Sequence, residues 1–75
     1  MSWKSKVPGC LGHADASFRI QHEEDARDLI LEAKIAGASF EELEREMVWH
    51  LYRDGATREQ MDEQIDRARA LWSPS

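Results

Sequence analysis

Gly37-Ala38-Ser39 recurs 18 residues later as Gly55-Ala56-Thr57, and this punctuation constrains the fold more than any other feature. Glycine reaches the left-handed backbone that closes many helices, and Ser or Thr caps the first turn of the next one. Glu42 stands three residues after Ser39, and Gln60 three after Thr57, which is capping-box spacing. Each tripeptide therefore reads as a helix stop followed by a helix start. The spacing predicts three helices near 19–36, 40–54 and 58–72. Leu43 and Met47 are echoed by Met61 and Ile65 at the same interval. Shared punctuation explains that echo without a solenoid, which requires more copies. Period-two alternation and β-branched runs are absent, so no strand is predicted. The expected fold class is all-α, a small three-helix domain over residues 15–75.

Residues 1–14 read differently. Pro8-Gly9 and Gly12 are turn signals, which predicts a flexible or non-regular leader. Asp15 and Ser17 are the candidate caps of the first helix. Charge divides along the same boundary. Residues 1–19 carry a net +2, residues 20–75 a net −7, and the whole chain −5. An acidic body repels phosphate backbones, so nucleic acid is an unfavoured partner and a basic protein surface a favoured one. The single cysteine, the lack of an apolar signal segment and the lack of a long apolar run lead to an expected cytoplasmic protein outside the membrane.

The helical faces leave apolar residues over. In the first predicted helix, Ala26, Leu29, Ile30, Ala33 and Ala36 share one stripe, while Ile20, Leu31 and Ile35 fall near the opposite side. In the second, Phe40, Leu43, Met47 and Leu51 form the stripe, with Val48 and Tyr52 expected to widen it. Trp49 lies about 180° from Phe40, at the spacing of a surface residue. In the third, Met61, Ile65, Ala68 and Trp72 face inward. A chain of 75 residues has little core to spare, so the second stripe of the first helix predicts a homodimer or other small homo-oligomer. Trp49, Ile20, Leu31 and Ile35 are the candidate protein-binding residues.

Chemistry of its own is not expected. Cys10, His13 and His22, with His50 as a distant fourth, are the only cluster of candidate metal ligands; Cys10 and His13 have zinc-like spacing but no matching second pair. Cys10 with His13 lacks the orienting group and oxyanion site that nucleophilic catalysis needs. The many adjacent carboxylates, such as Glu41-Glu42 and Asp62-Glu63, read as solvated faces. No phosphate-binding glycine loop is present. The expectation is a non-enzyme with no metal and no cofactor.

Three functional expectations follow from these residues. The first is a small helical protein–protein interaction module acting as an adaptor, accessory subunit or inhibitor. The second is an acidic inhibitor that covers a basic nucleic-acid-binding groove on its partner. The third is a helix-turn-helix DNA-binding regulator built from residues 40–72, with Arg58, Gln60, Gln64 and Arg67 offered to DNA. Glu59, Asp62, Glu63 and Asp66 on the same helix oppose that third reading.

Overall fold

The computed structural model describes residues 2–11 and 23–73. The fold is all-α. A 3-10 turn over Trp3–Lys6 runs into the short helix α1, Val7–Cys10. Three longer helices follow: α2, Glu23–Ile35, α3, Phe40–Arg53, and α4, Arg58–Trp72. The start predicted near residue 19, with its caps Asp15 and Ser17, lies outside the described residues.

Both glycine junctions form as the sequence requires. Gly37 and Gly55 adopt φ values of 82° and 89°. At the end of α2, Gly37 N–H donates to the Lys34 carbonyl and Ala38 N–H to the Ala33 carbonyl, each at 3.0 Å. At the end of α3, Gly55 N–H donates to Tyr52 at 3.1 Å and Ala56 N–H to Leu51 at 3.0 Å. These are two copies of the Schellman motif, which satisfies carbonyls that a helix end would leave unpaired. Ala38 and Ala56 then tuck against the core. Thr57 Oγ1 accepts from the Gln60 N–H at 3.1 Å, and Gln60 Oε1 accepts from the Thr57 N–H at 2.8 Å. That is the full capping box. Ser39 makes only the forward half, accepting from the Glu42 N–H at 3.3 Å.

The expected non-regular leader is revised by the structure for residues 3–10. Ser2 caps the 3-10 turn by accepting from the Lys4 N–H, and Pro8 occupies the first turn of α1. Proline is tolerated there because that turn has no intrahelical acceptor for its missing N–H. The Pro-Gly pair thus sits inside a helical turn. Trp3, Val7 and Leu11 are buried in the same core as Leu29, Leu43, Met47 and Leu51. Burying an apolar side chain of this size contributes roughly 1.5–3 kcal/mol. These three anchors oppose the entropy cost of ordering the segment.

The leader lies against α2 and α3, and α4 also lies against both. The two longer helices that meet at Gly37 are therefore bridged from two sides. Charge reinforces the leader's position. Lys6 Nζ meets both carboxylate oxygens of Glu32 on α2 at 2.9 and 3.0 Å, and Lys4 reaches Glu46 on α3 at 4.0 Å. The basic leader and acidic body seen in the sequence are partners within one chain.

Candidate functional site

Once the core is closed, two apolar surfaces remain outside it among the described residues. The first is a ridge on α2. Ala26, Leu29, Ile30 and Ala33 are buried as expected, whereas Ala36 is exposed. Leu31 and Ile35 stand on the outer side, 57% and 77% exposed. The described residues of the leader do not cover them. An open groove runs on each side of this ridge. One, towards α4, is lined by Arg27, Leu31, Lys34 and Leu71. The other, towards the leader, is lined by Ser2, Trp3, Glu32 and Ile35. Glu24, Asp25 and Asp28 precede the ridge and form no ion pair among the described residues. Ile20, the remaining candidate on this side, lies outside the described residues.

The second surface is the outer face of α3. Trp49 is 56% exposed, in line with its place opposite Phe40. Val48 and Tyr52, expected to widen the buried stripe, are instead exposed, Tyr52 by 75%. Leu43, Met47 and Leu51 are the buried residues of the helix, and Phe40 packs beside them against the core. Arg45 and Arg53 complete the outer face. At about 100° per residue, positions 45, 48, 49, 52 and 53 fall within about 140° of arc. This i, i+3, i+4, i+7, i+8 spacing was the available signal for the face. Trp49 is braced in place. The Arg53 guanidinium lies 5.3 Å from the Trp49 ring centroid, and the His50 ring packs edge-on with centroids 4.9 Å apart.

The residues considered for DNA reading are not brought together on one accessible face. Gln64 is only 2% exposed and belongs to the inward side of α4. The Gln60 carboxamide is engaged in the cap of α4. Arg67 pairs with Glu63 at 3.8 Å, and Arg58 is exposed at the start of the helix.

Cys10 is half-buried between the leader and α2. Burial pushes its thiol above the ordinary value; Asp25, Glu32 and Asp28 push the same way, while Lys6 opposes them. Thiolate is the nucleophilic and metal-binding form, so this setting disfavours both roles. His13 and His22 lie outside the described residues. Among the described residues, no group of three or more His, Cys, Asp or Glu is placed to hold a metal ion. Within the same residues, no helix is long and apolar enough to cross a membrane.

Compared with family models, curated proteins and solved structures, the chain matches none.

Proposed function

We propose that this chain is a small non-catalytic interaction module, acting in the cytoplasm as an adaptor, accessory subunit or inhibitor of another protein. The observation that carries this reading is the Leu31–Ile35 ridge. Two large aliphatic side chains project from a helix whose inner face is already packed. Their removal from water awaits a second surface, and hydrophobic burial is the main driving force for such association. The grooves on both sides give a partner's side chains somewhere to seat.

The acidic-inhibitor reading is a more specific form of the same function. It draws support from Glu24, Asp25 and Asp28, which lie beside the ridge and form no ion pair among the described residues. A partner offering a basic groove with an apolar floor would match both halves of this surface. The DNA-regulator reading is disfavoured by buried Gln64 and engaged Gln60.

Site-specific photo-crosslinking in native lysate tests the module. A crosslinker at Ile35 should trap one protein that a crosslinker at Asp62, on the outer side of α4, does not. Leu31→Glu should abolish the trap, and raised salt should weaken it if the acidic flank contributes. Equal crosslinking from both positions, or none from Ile35, would sink the proposal.

A further inference from the structure

We infer that the outer face of α3 is a self-interface, on which a second copy of this chain lays its own α3 antiparallel across a twofold axis. The inference is independent of the foreign partner proposed for the α2 ridge. It begins with the order of residues on the exposed face. Glu41 stands in the first turn of α3, Arg53 in the last, and Val48, Trp49 and Tyr52 lie between. A face with acid at one end and base at the other is complementary to itself when reversed. Glu41, Arg45 and Arg53 form no ion pair among the described residues, so all three charges are available.

One register satisfies more than one contact. Glu41 and Arg53 lie six residues either side of position 47, and Arg45 and Trp49 lie two either side of it. A twofold axis at that level therefore sets Glu41 opposite Arg53 of the second copy and Arg45 opposite its Trp49. Symmetry repeats both contacts. The outcome is a pair of end ion pairs flanking two cation–π contacts, with the exposed apolar side chains enclosed between them. Trp49 is already held by Arg53 and His50, so little of its freedom remains to be lost on association.

The α2 ridge has no such symmetry. Its acids Glu24 and Asp28 precede Leu31 and Ile35, and the nearby cation Lys34 is bound to the Trp72 carbonyl. A twofold axis at position 33 would set Leu31 against Ile35 of the second copy but would leave Glu24 and Asp28 with no facing cation. Self-association through α3 thus leaves the α2 ridge available to another protein. A single helix face is smaller than the roughly 800 Å² per partner of a standard stable interface, so a weak dimer in the micromolar range is expected.

Sedimentation equilibrium on the purified full chain, from low micromolar to high micromolar concentration, reads the result. The weight-average mass should rise towards twice the monomer value. Trp49→Ala and Arg53→Glu should each weaken the dimer by about tenfold, equivalent to about 1.4 kcal/mol. The double exchange Glu41→Arg with Arg53→Glu should restore most of the lost affinity, because the reversed charges meet again across the axis. Circular dichroism checks that each variant keeps its helix content, as exposed positions should. A monomer throughout the range overturns the inference. So does a dimer that ignores Arg53→Glu but dissociates with Leu31→Glu and Ile35→Glu, or a double exchange that restores nothing.

Discussion

The leader and α4 do the same structural job with different means. Both lie against α2 and α3, and both complete the core. Helix α4 has a full capping box, 15 residues and a continuous inner side. Its structure is encoded locally, by Thr57, Gln60 and the repeat of Ile65 and Ala68. The leader has two short helical segments of four residues each. Isolated helices of that length are not stable in water. Its order comes from Trp3, Val7 and Leu11, which fit a space that α2 and α3 already shape. Local signals build one support, and tertiary burial builds the other.

The sharpest way to break this comparison is to remove the leader's largest anchor. Trp3→Ala should cost about 3 kcal/mol or more, the range for truncating a large buried aromatic. Urea denaturation followed by circular dichroism would measure it. A variant as stable as the parent would mean that the leader covers the core without supporting it.

Two changes of intermediate size probe α4. Thr57→Ala removes the side-chain half of the capping box and should cost about 1 kcal/mol. Gln64→Met should act in the opposite direction. The Gln64 Oε1 atom is buried without a hydrogen-bond partner among the described residues, and an unmet polar atom of this kind costs about 1–3 kcal/mol. A gain of about 1 kcal/mol is expected after allowing for imperfect packing of the thioether. This would expose a second contrast, since the leader's anchors are Trp3, Val7 and Leu11 whereas α4 contributes a buried amide. A loss on Gln64→Met would show that the amide is satisfied in solution. The smallest effect should come from Lys6→Ala. Its pair with Glu32 is half-exposed on both sides and should be worth less than about 1 kcal/mol. A thermal melt at low and high salt separates that contribution from packing.

The same division explains what could be read from the sequence. The ends of α3 and α4 were legible because their signals are local: Gly37, Ser39, Gly55 and Thr57 each act within a few residues. The inward stripes of α2 and α4 were legible because periodicity is also local. The leader was not. Pro8 and Gly9 are turn formers by composition, and only the space between α2 and α3 turns them into part of a helix. Trp49 and the Leu31–Ile35 ridge were identifiable as residues left over from a filled stripe. Val48 and Tyr52 were assigned inward because wheel geometry allows a wide stripe. How wide the buried stripe becomes depends on the neighbours, which a single helix does not encode. The helix-turn-helix outline offers Gln64 to DNA, and the close approach of α4 to the core buries it instead.

The leader's dependence on α2 and α3 has a consequence in time. It is the first of the described segments to be synthesised, yet α3, which completes its binding site, ends only at Arg53. At roughly 5–20 residues per second, the 42 residues that separate Leu11 from Arg53 take about 2–8 s to make. Throughout that interval Trp3, Val7 and Leu11 have no completed core to enter. The nascent chain therefore carries these three anchors uncovered while the rest is still being added. Chains arrested before α3 has left the ribosome should present that segment to proteases or chaperones, and chains in which α3 has emerged should withdraw it.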